Sequence, residues 1–168
     1  MRSAQTCIEI VHNRGQRNLP LQRVYRNLQN QELFLMAYAK LYANRGATTP
    51  GVDPNDTVDG MSLARINNLI KKLQEGTYRW QSVRRVKIDK KNGQKRPLGL
   101  PGWNDKLLQQ VIKLVLEAYY EPRFSDHSHG FRPGRGCHTA LREIYLYWKG
   151  TKWFIEGDIE GCFDNIPH

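Results

Sequence analysis

The stretch WFIEGDIEGCFDNIPH, residues 153–168, sets Asp158 and Asp164 in an otherwise apolar run, with Glu160 between them. Trp153, Ile155 and Gly157 alternate with Phe154, Glu156 and Asp158, the period-two spacing of a strand, and Gly161 breaks it. Asp158 therefore falls at the end of an apolar strand. A carboxylate there can hold Mg²⁺ through one oxygen while substrate phosphates supply others. The competing role is to cap a turn or a following helix. Ile159 offers a backbone carbonyl beside it, Gly161 permits close approach, and the ring of Phe163 could line a nucleotide pocket. Asp164, ahead of Asn165, Ile166 and Pro167, reads instead as the cap of a next helix, and Glu160 faces solvent or pairs with a base.

A second group of residues suggests a polyanion. Arg79, Arg84, Arg85, Lys87, Lys90, Lys91, Lys95 and Arg96 face a single acid, Asp89. The charge is uneven along the chain: residues 1–70 carry +3, residues 71–123 carry +8, and residues 124–168 carry −1. Such a local field favours phosphate contacts with a steep salt dependence, against the alternative of a solvated lysine-rich hairpin. Arg96 precedes Pro97, so a stiff backbone holds a guanidinium able to grip a triphosphate; its alternative is a strand arginine paired with an acid. FRPGRG offers Arg132 and Arg135 among turn residues, with backbone N–H groups for a phosphate chain. Trp80, Trp103, Tyr119, Tyr120 and Phe131 lie among these cations; they could stack on bases, although most are expected in the core.

Positioning these groups requires a small set of elements. Apolar residues at three- and four-residue steps predict a helix over residues 21–44, ended by Gly46. ATTPGVDPNDTVDG follows as a turn-rich loop. Ser62 is the N-cap of a helix with Leu63, Ile66, Ile70 and Leu73 on one stripe, closed by Gly76. SVRRVKI and RPLGL are short strands joined through Asn92-Gly93, a strong hairpin signal. A helix over residues 104–120 uses Leu107, Val111, Leu114, Val115 and Ala118, and Pro122 stops it. A last helix, residues 138–148, carries Leu141, Ile144, Tyr145 and Trp148 before the closing strand.

With 168 residues the chain suffices for one cored domain or one layer of something larger. Cys7, Cys137 and Cys162 are odd in number and lack CxxC spacing, which argues against a disulfide framework or a structural zinc site and for a reducing compartment. His127, His129, Cys137 and His138 match no usual metal template, and Asp126-His127 reads as loop hydrogen bonding. No run is long enough to span a membrane, and the basic stretch lacks the apolar face of an interfacial anchor.

Together these residues resemble the reverse transcriptase/maturase proteins encoded by group II introns. ATTPGVDPNDTVDGMSL is similar to that family's N-terminal extension. KNGQKRPLGLPGWNDKLLQQVIKLVLEAYYEPRFSDHSHGFRPGRGCHTAL is similar to its first two fingers blocks, and WFIEGDIEGCFDNIPH to its first palm block. The resemblance covers roughly residues 44–168. It implies an α+β fold: the helix-rich fingers subdomain of a right-hand polymerase, with a basic β-hairpin and the first palm strand. Residues 1–60 become an N-terminal extension of RNA- and template-binding helices and loop, 61–150 the fingers, and 151–168 the start of a truncated palm.

By the same resemblance Asp158 is the catalytic Mg²⁺ ligand, Ile159 offers its carbonyl, Phe163 lies beneath the incoming sugar, and Arg96 contacts the triphosphate. Arg132 and Arg135 contact template and nucleotide. The implied partners are group II intron RNA, and an RNA template with DNA primer and dNTPs in the complete enzyme, with no membrane. An unpaired edge at residues 153–159 admits a homodimer. The implied location is the bacterial cytoplasm, with an organelle as alternative. The family's later pair of adjacent aspartates is absent, and two-metal chemistry needs several carboxylates, so the chain alone is expected to bind RNA and not to polymerise. Two other classes compete: an RNA-binding splicing cofactor without polymerase activity, and a metal-dependent nuclease using Asp158 and Glu160.

Overall fold

The structure, a computed structural model, describes residues 2–44, 46–89, 93–162 and 165–167. It is helix-rich with one two-stranded antiparallel sheet and falls into two compact units, residues 1–124 and 125–168.

The first unit contains α1 (Ala4–Gln16), the short α2 (Val24–Asn27), α3 (Gln31–Tyr42), α4 (Leu63–Gln74), β1 (Arg84–Asp89), β2 (Lys95–Leu100) and α5 (Trp103–Tyr120), with a 3₁₀ turn at Glu121–Arg123 that contains Pro122. Helix α5 is its spine. Leu107, Leu108, Val111, Leu114, Val115, Ala118 and Tyr119 are buried along one broad face, as steps of one, three and four residues dictate. Against that face pack Val11 of α1, Leu33, Phe34 and Ala37 of α3, and Ile66, Leu69, Ile70 and Leu73 of α4. Each fully buried aliphatic side chain contributes about 1.5–3 kcal/mol. Helices α1 and α5 approach so closely that a Cβ on Gly15 would stand 2.2 Å from the carbonyl oxygen of Tyr119.

Some elements match their expected form and others do not. Ser62 caps α4, its hydroxyl accepting from the Arg65 amide at 3.2 Å, and Gly76 follows in the left-handed region at φ +68. The hairpin and α5 lie where their patterns put them, within two residues at each end. The helix expected over 21–44 is broken, because Asn30 acts as a buried N-cap. Its side-chain oxygen accepts from the Glu32 amide at 3.0 Å, while its amide donates to the Arg2 carbonyl at 2.9 Å. These bonds to an asparagine outcompete a continuous helix through it. Conversely, α1 has no matching expectation: its buried side is only Ala4, Val11 and Gly15, too little apolar contrast to stand out in the sequence.

The second unit contains α6 (Cys137–Tyr147), on which no residue is buried. Leu141, Ile144, Tyr145 and Trp148, expected as its apolar stripe, are all exposed. The closing strand expected at 153–159 is corrected by the structure: residues 151–159 have no regular secondary structure and are exposed throughout. A strand exists only through the N–H and C=O groups of a neighbour, and the one sheet among the described residues is β1 with β2. The expectation that most of the five aromatics are core is also corrected. Trp103 and Tyr119 are buried, whereas Trp80, Tyr120 and Phe131 are exposed.

Candidate nucleic-acid interface

Antiparallel register sorts the basic hairpin into two unlike faces. Arg84, Val86 and Ile88 stand opposite Leu100, Leu98 and Arg96, while Arg85, Lys87 and Asp89 stand opposite Gly99, Pro97 and Lys95. Directly opposed residues share a face and neighbours along a strand do not. One face is therefore cationic, with Arg85, Lys87 and Lys95, and its acid Asp89 is 3.8 Å from the Lys95 ammonium. The other is mainly aliphatic, with Arg96 beside Ile88 near the tip and Arg84 at the base. Arg96 thus presents its guanidinium from the face opposite the Arg85 cluster. Lys90 and Lys91 lie outside the described residues.

A two-stranded ribbon exposed on both faces is marginal by itself, so its base must be anchored. Asp105 in the first turn of α5 does this from a buried position: it accepts from the Tyr78 hydroxyl and, at 3.0 Å, from the Gln81 amide that leads into β1. Burial first, and then the hydrogen bond and negative charge of Asp105, push the Tyr78 phenol far above its ordinary pKa. A second clasp ties the loop around residue 50 to the same place. Arg84 donates to the Pro50 carbonyl at 3.1 Å and Lys106 to that of Thr49 at 2.5 Å. Asp56 accepts from the Trp103 amide at 2.7 Å and from Arg65 at 2.5 Å. Desolvation holds the Lys106 ammonium below the usual lysine range, opposed by Asp56 and reinforced by Arg84. Arg79 is spent on the end of α4, donating to the carbonyls of Gly76 and Tyr78 at 3.2 and 3.0 Å. Of the predicted cations, Arg84 and Arg79 are therefore partly structural, whereas Arg85, Lys87, Lys95 and Arg96 project from the ribbon.

In the second unit the FRPGRG loop is braced by its own arginines. Arg132 donates to the carbonyls of Ser125 and Ser128 at 2.8 and 2.9 Å, and Arg135 donates to the Asp126 carbonyl and, at 3.3 Å, to its carboxylate. Both guanidiniums fold the loop back on itself. Phe131, between Gly130 and Arg132, is held at φ +58 with its ring fully in solvent. A left-handed backbone at an exposed aromatic residue is unusual and directs a flat apolar ring outward. The loop is fastened to α6 by Glu143, which accepts from His127 and, at 2.8 Å, from His129, and those bonds lower its pKa below the usual carboxylate range. His127 and His129 thus act as loop hydrogen-bonding groups.

Asp158 is exposed, and its carboxylate accepts from the following Ile159 amide at 2.9 Å. Ile159 is exposed and Phe163 lies outside the described residues. Among the described residues no group of three or more His, Cys, Asp or Glu side chains could hold a metal ion. Asp158 has the oxygen chemistry that Mg²⁺ prefers, but one carboxylate does not make a two-metal site. Sequence reasoning missed Asp105, Asp56 and Glu143, whose roles depend on partners 9 to 47 residues away.

A family model described as "Reverse transcriptase (RNA-dependent DNA polymerase)" matches residues 88–168, from the end of β1 onward. The class is thus that of reverse transcriptases. The "Group II intron-encoded protein LtrA" of Lactococcus lactis subsp. cremoris is 47% identical over 171 residues, covering 100% of this chain and 28% of that protein. The "Uncharacterized 91 kDa protein in cob intron" of Schizosaccharomyces pombe is 51% identical over 141 residues, 84% of this chain and 17% of its own length. The "Nuclear intron maturase 1, mitochondrial" of Arabidopsis thaliana is 30% identical over 157 residues, 83% of this chain and 22% of its own length. Within the reverse transcriptases, this chain belongs to the group II intron-encoded reverse transcriptase/maturase family. It spans less than a third of the length of these relatives.

Proposed function

We propose that this chain is the RNA-binding fingers portion of a right-hand polymerase encoded by a group II intron, and that its hairpin is the main contact with RNA. The observation that carries this reading is the sorting of the ribbon, with Arg85, Lys87 and Lys95 sharing one face. An exposed, stiffly anchored cationic ribbon follows a phosphate backbone, which supplies affinity without sequence selection. Arg96, on the aliphatic face, is assigned to the phosphates of an incoming dNTP, and the exposed ring of Phe131 to stacking on a base. Asp158, Ile159 and Phe163 are assigned to the metal and nucleotide position of the complete enzyme, where further carboxylates join Asp158 to hold Mg²⁺.

Within this chain Asp158 stands without such companions among the described residues, which favours RNA binding over catalysis by the chain alone. It is assigned the role of a maturase module that grips intron RNA, with RNA-templated dNTP addition belonging to the complete protein. Filter binding to a group II intron transcript across a salt series tests the reading. Replacing Arg85, Lys87 and Lys95 by Ala should weaken binding and flatten the dependence of log K on log salt by about 0.7–0.9 for each phosphate no longer neutralised. Unchanged affinity and slope would remove the hairpin from the interface. Template-directed dNTP incorporation by the chain alone is expected to be absent, and robust incorporation would overturn the assignment of catalysis to the complete protein.

A further inference from the structure

A hollow of about 440 Å³ lies in the second unit, walled by His127 and His129 of the loop, by Ala140, Glu143 and Ile144 of α6, and by its C-cap Trp148. No lysine or arginine lines it among the described residues. Its volume falls within the range of about 300–1,000 Å³ typical of ligand sites, whose usual form is an apolar wall with a few convergent polar groups. The one carboxylate here is only half used. A carboxylate offers about four lone pairs. Glu143 accepts once from His127 and once, at 2.8 Å, from His129, and its side chain keeps 19% exposure. Those bonds, the one from His127 first, hold its pKa below the usual carboxylate range, so it stays charged at neutral pH.

The wall opens onto an uncovered face. Ile144 and Trp148 belong both to the hollow and to the apolar stripe of α6, whose other members, Leu141 and Tyr145, are exposed. An exposed apolar patch with a polar edge marks a surface that another polypeptide covers. Charge selects which one. Residues 124–168 carry −1, whereas residues 1–70 and 71–123 carry +3 and +8. Of the few cations in this segment, Arg132 and Arg135 are turned to the loop's own carbonyls, and the Lys149 ammonium stands 5.8 Å from the Tyr145 ring centroid. A carboxylate beside a flat indole and a short aliphatic wall matches one side chain in all three parts. A guanidinium takes a carboxylate bidentately and stacks on an aromatic face, and its methylene stem packs on apolar groups. A phosphate backbone meets the opposite, because Glu143 repels it and the hollow offers it no cation.

We propose that this hollow and the stripe of α6 form a docking surface for a partner protein that inserts an arginine flanked by apolar residues. The guanidinium sits on Glu143 and the face of Trp148, and its apolar neighbours lie on Leu141, Ile144 and Tyr145. Tryptophan and arginine are among the residues that most often dominate such contacts. The surface differs from the cationic hairpin in charge and in place along the chain, and it does not rest on the RNA-binding reading.

The test uses the full chain and a fluorescein-labelled Leu-Ala-Arg-Leu-Leu peptide, beside versions with lysine or citrulline in place of arginine, with folding of each variant checked by circular dichroism. By fluorescence anisotropy the arginine peptide should bind about tenfold more tightly than the other two, since lysine lacks the bidentate fork and citrulline lacks the charge. Glu143→Gln should abolish that preference, and Trp148→Leu, which leaves the bonds from His127 and His129 to Glu143 in place, should reduce it. Leu141→Ser should weaken all three peptides alike. In the unmodified chain the arginine peptide should shift the ring resonances of His127 and His129, a readout that needs no variant to fold. Equal binding of the three peptides, or unmoved histidine rings, would overturn the site. Ring shifts caused by an intron transcript and not by the arginine peptide would assign the hollow to RNA and sink the proposal. Self-association of the chain that the peptide disrupts would make the occupant a second copy, and peptide binding by this chain but not by the complete protein would put the surface in that protein's interior. Either result overturns a partner protein.

Discussion

Helices α5 and α6 carry comparable amphipathic patterns and meet different ends. On α5 the stripe from Leu107 to Tyr119 is buried because it shares one core with buried apolar residues of α1, α3 and α4. On α6, Leu141, Ile144, Tyr145 and Trp148 follow the same spacing and none is buried. Periodicity specifies which side of a helix is apolar; a second layer with its own stripe turns that side into a core. The first unit is thus a platform that anchors a cationic ribbon. The second is a helix and a self-braced loop whose apolar groups stand open to solvent.

The contrast can be broken most directly at the α5 core. Leu107→Ala should cost about 2–5 kcal/mol, seen as an earlier denaturant midpoint for the first unit. A midpoint like the parent's would mean α5 is not the spine. Gly15→Ala should follow at about 1–3 kcal/mol, since the added methyl meets the Tyr119 carbonyl and the helices must part. Asp105→Ala strands the Tyr78 hydroxyl and the Gln81 amide, for a comparable or smaller loss of about 1–3 kcal/mol, and hydrogen exchange at Gln81 should accelerate. Slow exchange there in the variant would show that the ribbon is anchored elsewhere.

On the other side of the comparison, Leu141→Ser and Tyr145→Ser should change stability by no more than about 0.5 kcal/mol, because neither side chain is buried. A large loss would reveal a hidden partner for α6. The smallest effect concerns pH. The Glu143 pKa is depressed by its bonds to His127 and His129, so the fastening of loop to helix is fully present above the ordinary glutamate pKa and is lost as pH falls through the depressed value. Nuclear magnetic resonance of the His129 ring should follow that loss in acid, below the usual carboxylate range. A Glu143 titration at the ordinary value would remove the bond.

Local rules account for much of the platform. Ser62 as a cap, Gly76 as a stop, the hairpin strands and the α5 stripe each depend on residues within one or two turns, and each is found where its pattern puts it. The break at Asn30 was not legible because one of its two bonds reaches Arg2, 28 positions away, and α1 was not because its buried side is only Ala4, Val11 and Gly15. For the site, the eight hairpin-region cations could be identified in sequence, but not that register would set Arg96 on the face opposite Arg85, Lys87 and Lys95. The arginines of FRPGRG were legible as cations, and their bonds to the loop's own carbonyls were not.

The order of amino acids alone determined the family, the placement of charge along the chain, and which faces of the helices are apolar, since these follow from residue type and spacing. Tertiary structure alone decided that Asp105 anchors the ribbon, that His127, His129 and Glu143 line one hollow, and that the residue 153–159 alternation remains unpaired. The physical reason is the same in each case. A hydrogen bond, a shared electrostatic field or a strand ladder needs a second group brought near in space, and spacing along one segment carries no information about where that group will be.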